Sequence, residues 1–252
     1  SNAVKTSQLN EGGLIGDAAL QSFTIINQTG NDEKVVLDTE LEFSEDQQKS
    51  NIGSMFGHVS GTFTIDDTFG GIQAKITTKS ATLDPKIGDG TYGLGGIIGK
   101  NKANITIKNL TVKLAIGDNK NAVGWTSAGA SVGGVIGTNS GIITTDDNSN
   151  IKFNVGSEII NMSMPQYYGN FTGYNIGSIS LNNFKTNANI QMAGTNLGRG
   201  TYGGVVGYTS GSVSSVTIGQ NTQSVKINST FDVNCLSAQS FELGGAIGKV
   251  AG

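Results

Sequence analysis

Five times along the chain the residues Gly-Gly-apolar-apolar-Gly recur: Gly12–Gly16, Gly95–Gly99, Gly133–Gly137, Gly203–Gly207 and Gly244–Gly248. Two further segments, Gly53-Ser54-Met55-Phe56-Gly57 and Gly169-Asn170-Phe171-Thr172-Gly173, keep the outer glycines and replace the second one. The first glycines stand at 12, 53, 95, 133, 169, 203 and 244, so neighbouring copies lie 34 to 42 residues apart. A period of that length marks a tandem architecture, in which each unit buries its apolar face against the next. A fold for this chain has to be built by stacking or closing like units.

Composition narrows the units to β structure. Ile, Val and Thr are abundant and the straight-chain helix formers scarce, with one Arg in 252 residues. Branched side chains are stiff at χ1 and suit a pleated surface. Charged residues make up 14% of the chain, where about 25% is ordinary; Asn, Ser and Thr (25, 24 and 25) replace them. A net charge of −3 with Arg199 alone excludes a nucleic-acid partner, which needs clustered Lys and Arg. No apolar run reaches the roughly 18 residues of a membrane span. Cys235 is the single cysteine, so no intramolecular disulfide forms. Ser1-Asn2-Ala3 reads as the remnant of a cleaved expression tag, leaving residues 4–252 as one repeat domain. The last copy stops at Gly252 with no capping unit, and the expectation is a piece of a longer exported protein.

The similarity between copies extends past the glycines. Tyr168–Ser180 reads YGNFTGYNIGSIS and Tyr202–Ser214 reads YGGVVGYTSGSVS. A fourth glycine follows at Gly61, Gly141, Gly177 and Gly211, and alternating stretches such as Thr62-Phe63-Thr64-Ile65 come next. These segments, and Val132–Ile143 (VGGVIGTNSGII) above all, resemble the GLUG-motif repeats of bacterial surface and secreted proteins. The resemblance covers the turn element of each copy and not the variable residues between. It implies an extracellular or cell-surface β-repeat protein, of a kind found in adhesins and peptidases.

Between the turns the apolar residues alternate, the pattern of a strand with one buried face. Val35, Leu37, Leu41 and Phe43 share one parity; so do Leu110, Val112, Leu114 and Ile116, then Ile151, Phe153 and Val155. In Val225–Cys235 the odd positions point inward, with Ser229 the exception. The fold expected is all-β, a parallel β-solenoid of about six to seven repeats, with a β-propeller as the alternative. The solenoid is favoured because a propeller repeats aromatic signatures in each blade and this chain has one Trp. Successive coils would also bring backbone against backbone at a tight corner, where Gly-Gly supplies either φ > 0 or a missing Cβ. The period does not say whether each unit makes one long coil or two short ones.

Candidate sites are few. Gly88–Gly93 and Gly198–Gly203 both match G-x-G-x-x-G, yet each runs into a β repeat and not the helix that a dinucleotide fingerprint requires. No cofactor is expected. Asp146-x-Asn148-x-Asn150 has calcium-loop spacing, but Ile151 stands where glycine is needed and Ser157 where glutamate is. It reads as a polar turn, as does Asp66-Asp67, and no metal site is expected. His58, the single histidine, follows the third glycine of its copy, equivalent to Asp17, Lys100, Thr138, Tyr174, Tyr208 and Lys249. That varied polar column should be a solvent-facing row, so no catalytic residue is assigned. Tyr168 and Tyr202 occupy the place of Leu94, Val132 and Leu243 and should pack inward. Tyr174 and Tyr208, with Tyr167, would form an aromatic ligand platform. Thr62-x-Thr64 raises ice binding, which is set aside because no such file is seen in every unit. Cys235 has inward parity and reads as a small core residue.

The expected function is a non-enzymatic structural or adhesive segment of a bacterial cell-surface or secreted protein, with a glycan or an extracellular protein as ligand. The alternative is an accessory, carbohydrate-binding region of a secreted hydrolase.

Overall fold

The computed structural model describes residues 9–21, 37–43, 50–65, 72–78, 93–117, 131–154, 160–162, 166–194, 200–219, 226–235 and 241–252. Among them every strand pairing is parallel and no helix occurs. The strands stack as a β-solenoid. The propeller alternative is thereby corrected: its blades are separate four-stranded antiparallel sheets, whereas here each strand pairs with the equivalent strand of the next copy. Asn101 meets Asn139, 38 residues on, and Asn139 meets Asn175, 36 residues on. One unit is therefore one long coil.

Seven short strands form the first sheet: Leu9–Gly12, Ser50–Gly53, Gly93–Gly95, Ser131–Gly133, Tyr167–Gly169, Gly200–Gly203 and Phe241–Gly244, in that spatial order. Each ends on the first glycine of one copy. After a two-residue bend the chain enters a second, 16-stranded sheet through strands such as Ile98–Asn101, Ile136–Asn139, Thr172–Asn175 and Val206–Ser210. Longer strands, Asn104–Ile116, Ile142–Asn154 and Phe184–Gly194, continue that sheet. Even the bends bond along the axis: the amides of Ile97 and Ile98 both donate to the carbonyl of Val135 in the next coil.

The motif glycines are explained by close approach, not by backbone conformation. Positive φ is found at Gly61, Gly117, Gly211 and Gly219, none of them within a Gly-Gly-apolar-apolar-Gly unit. A Cβ on Gly95 would lie 2.7 Å from the amide nitrogen of Gly137, and one on Gly137 would lie 2.6 Å from the carbonyl carbon of Gly93. The two sheets thus meet backbone to backbone at this edge, where facing sheets ordinarily stand about 10 Å apart with side chains between them. In the degenerate copies the second glycine becomes a hydrogen-bonding residue. The Ser54 hydroxyl donates to the carbonyl of Gly96, and Asn170 Nδ2 donates to the carbonyl of Gly204 at 3.0 Å.

Apolar side chains of alternate parity fill the coil. Leu110, Val112, Leu114, Ile116, Ile151 and Phe153 are fully buried, as their alternation requires. Ile52, Leu94, Val132, Tyr168 and Tyr202 form one inward column. Tyr168 donates its hydroxyl to Asn170 Oδ1 at 3.0 Å, which satisfies a polar group that burial would otherwise penalise. Ser229, the exception in its strand, accepts from Asn170 Nδ2 at 2.6 Å and stands 3.2 Å from Thr186 Oγ1. The side chains of residues 37–43 and of Cys235, together with Val35, Val155 and Val225, lie outside the described residues.

One column contains a defect. Phe56, Ile98, Ile136, Thr172 and Val206 are in register, and the buried Thr172 Oγ1 has no hydrogen-bond partner. Replacing a buried, unpaired hydroxyl by a methyl removes a desolvation cost. Thr172→Val is expected to stabilise the fold by about 1 kcal/mol. Gly137→Ala, whose Cβ would meet backbone atoms that have no room to move, is expected to destabilise it by at least roughly 1–3 kcal/mol. Urea unfolding of the two variants checks both signs.

Candidate functional site

The bend after each first-sheet strand reverses the chain, so a residue of that strand comes to lie beside the residue seven positions later. Asn10 Nδ2 donates to Asp17 Oδ2 at 3.2 Å, and Lys249 Nζ stands 2.9 Å from Glu242 Oε1. Two rows of side chains consequently run along the glycine edge of the solenoid. In one, Ser131, Tyr167, Thr201 and Glu242 are consecutive partners. In the other, Asp17, His58, Lys100, Thr138, Tyr174, Tyr208 and Lys249 are consecutive partners through seven copies.

This second row is the one expected to face solvent, and it does so with one correction. Thr138 is 1% exposed. Its short side chain sits between the longer Lys100 and Tyr174 and lies below their level; its Oγ1 is buried without a partner. His58 is half-buried and holds Asp17 at 2.8 Å through Nδ1. That hydrogen bond stands near one end of the row and the exposed Lys249–Glu242 ion pair near the other, where solvent screening leaves the ion pair worth little energetically.

The three tyrosines singled out in the sequence come together in one cluster. Tyr174 and Tyr208 stack with ring centroids 5.4 Å apart and planes 4° from parallel. Tyr167 leans against both, 5.1 Å from Tyr174 and 4.8 Å from Tyr208, at tilts of 37° and 34°. All three are half-buried. The Tyr174 hydroxyl lies 3.2 Å from Ser210 Oγ. The Tyr167 hydroxyl is pushed up from 10 to about 12, first by burial and then by the neighbouring phenols of Tyr208 and Tyr174. It therefore remains a neutral donor throughout the physiological range.

A buried polar ladder below these rows escaped sequence reasoning. Asn101 Nδ2 donates to Asn139 Oδ1 at 2.8 Å, Asn139 Nδ2 to Asn175 Oδ1 at 2.7 Å, and Asn175 Nδ2 to Thr209 Oγ1 at 3.1 Å. Each Asn Oδ1 also accepts the amide two residues on, at Ala103, Gly141 and Gly177. The available signal was Asn at a constant distance after the first glycine in three successive copies.

Other candidates resolve as structure. Gly200–Gly203 of the second G-x-G-x-x-G is a strand of the first sheet, and most of Gly88–Gly93 lies outside the described residues. Asp146-x-Asn148-x-Asn150 is not a turn: it falls inside the strand Ile142–Asn154, at a register irregularity between Thr145 and Asn150. Asp66-Asp67 lies outside the described residues. A single hydroxyl file does run through part of the stack, although not through every unit. Thr64, Thr106, Thr144, Ser180 and Thr217 are in register on five neighbouring strands. The extra turn at Gly211–Ser214, where Gly211 has φ 106°, hides the last member from a constant-offset search. Thr106 and Thr144 hydroxyls are 3.4 Å apart, a contact between coils.

Comparison with protein-family models, curated proteins and solved structures gives no match.

A phenol with a raised pKa favours the fold while it is protonated, so its contribution is complete below pH 10 and declines as pH climbs to about 12. Tyr167→Phe is expected to flatten that alkaline loss of stability. Thermal melts of both proteins across this interval, with absorbance titration of the phenols, provide the measurement.

Proposed function

We propose that this chain is a non-enzymatic structural and adhesive segment of an exported bacterial repeat protein, with one solenoid rung for each of its seven glycine motifs. The observation that carries the reading is the continuous register of the row from Asp17 to Lys249. A parallel stack bonded from coil to coil gives a stiff body of length proportional to the number of copies. Along it the backbone is uniform while the row changes from carboxylate and imidazole through lysine to tyrosine. Such a body separates two tasks: the glycines and the core set the shape, and the exposed rows set what is recognised. The GLUG-like segments support an extracellular location, and the low charge and Asn/Ser/Thr surface suit a glycan or an extracellular protein as partner.

Small-angle scattering is expected to show an elongated, rigid particle. The same protein is expected to leave a panel of glycans and peptides intact. Turnover of any of them by the purified chain would overturn the reading in favour of an enzyme.

A further inference from the structure

We infer that the cluster of Tyr167, Tyr174 and Tyr208 binds a neutral glycan laid along the solenoid axis, an assignment that rests on the adhesive reading above and names its ligand. Sugar rings present apolar C–H faces and hydroxyl edges, so they are held by aromatic side chains set among uncharged hydrogen-bonding groups. The cluster has that make-up. Tyr174 is hydrogen-bonded to the half-buried Ser210; the register partners Ser131, Thr138 and Thr201 are uncharged but buried, so the phenols and Ser210 supply the accessible hydrogen-bonding groups. The carboxylate of Glu242, two strands from Tyr167 in the same row, is paired with Lys249 at 2.9 Å, and the Tyr167 phenol stays uncharged far above neutral pH.

The geometry also sets the direction. Tyr174 and Tyr208 are register partners on adjacent strands with parallel rings 5.4 Å apart. The aromatic contact thus repeats along the axis, close to the strand spacing of about 4.8 Å, a step comparable to the length of one pyranose ring. Tyr167, tilted against both rings from the other row, closes one side. A chain of sugars running from the Thr138 rung towards Lys249 meets the pair in succession, whereas a chain lying across the strands meets one ring.

Other ligand classes fit less well. The three rings touch one another, which leaves no space between them for a cation held in an aromatic cage. Stacked nucleobases would require a basic groove alongside, and the row here holds two lysines, Lys100 and Lys249, several strands apart, with Lys249 paired to Glu242. The strongest rival is an extended proline-rich peptide, which also docks on tyrosines.

Isothermal titration of the whole chain against cello-, xylo-, manno- and chito-oligosaccharides, oligogalacturonate and a proline-rich peptide tests the assignment. At least one neutral oligosaccharide should bind, with affinity unchanged by added salt because no charge is matched. Tyr174→Ala and Tyr208→Ala should each weaken it roughly tenfold or more. His58→Ala, in the same row but remote from the cluster, should not, and circular dichroism melts establish that each variant is folded. Binding of oligogalacturonate or the peptide alone, neutral binding indifferent to both tyrosine variants, or no binding at all would overturn the assignment. Each of those outcomes with an elongated, non-hydrolytic particle leaves the scaffold reading standing; hydrolysis of a ligand would remove that reading instead.

Discussion

The constraint on which the rest of this molecule depends is the approach of two β-sheets with no side chain between them. At Gly95 and Gly137 the missing Cβ atoms leave room for backbone of one coil to lie against backbone of the next. Two consequences follow from that contact. The chain can reverse within two residues, since nothing has to be packed into the corner. Residues seven apart then stand side by side on the outer edge, which creates the paired rows that hold Tyr167 beside Tyr174 and Glu242 beside Lys249. The surface site is in this sense a by-product of the glycine seam.

A seam of glycine offers little side-chain contact to set register, and glycine is costly to order. The compensation lies in polar groups buried along the axis. The amides of Asn101, Asn139 and Asn175 bond both to the next coil and to their own backbone two residues on. A slip of one residue would flip each strand's apolar set outward and leave these amides buried and unpaired, at roughly 1–3 kcal/mol for each. Burial of apolar side chains resists a slip of one residue but keeps its parity in a slip of two, whereas the ladder resists both. Where it ends, the row passes to Val59 on one side and Thr209 then Val250 on the other, so the ladder holds the middle of the stack.

The sequence made the periodicity, the all-β class, the solenoid and the outward row readable, because each rests on a pattern that repeats at fixed distance from a glycine. The tyrosine cluster was readable for the same reason: Tyr174 and Tyr208 hold equivalent positions. What stayed hidden depends on facts that one copy does not contain. The close approach at the motif glycines was expected, but choosing between a missing Cβ and a positive φ required knowing which coil faces which. The alignment of Thr64 with Thr217 was masked by an insertion at Gly211–Ser214. The strand running through Asp146 to Asn150 was masked by polar composition: a segment rich in turn-forming residues is kept extended by the neighbouring strand Asn104–Ile116, a case of pairing overriding local preference.

The arrangement bears on how recognition could vary without loss of the fold. In a globular site a substitution is felt by the core, since its neighbours are packed around it from several directions. Here a row residue has two neighbours along the axis and one across the glycine edge, and its backbone is bonded to the coils on either side whatever the side chain. Tyr174 and Tyr208 occupy positions held elsewhere by Asp17, His58, Lys100 and Lys249, so the same backbone already carries acid, base and aromatic groups. Thr138 shows the limit: a side chain much shorter than its neighbours drops below the row and leaves a buried hydroxyl unpaired. Size, more than polarity or charge, is what the row constrains. That is the physical condition for a surface whose chemistry can be rewritten rung by rung while the seam and ladder beneath it stay as they are.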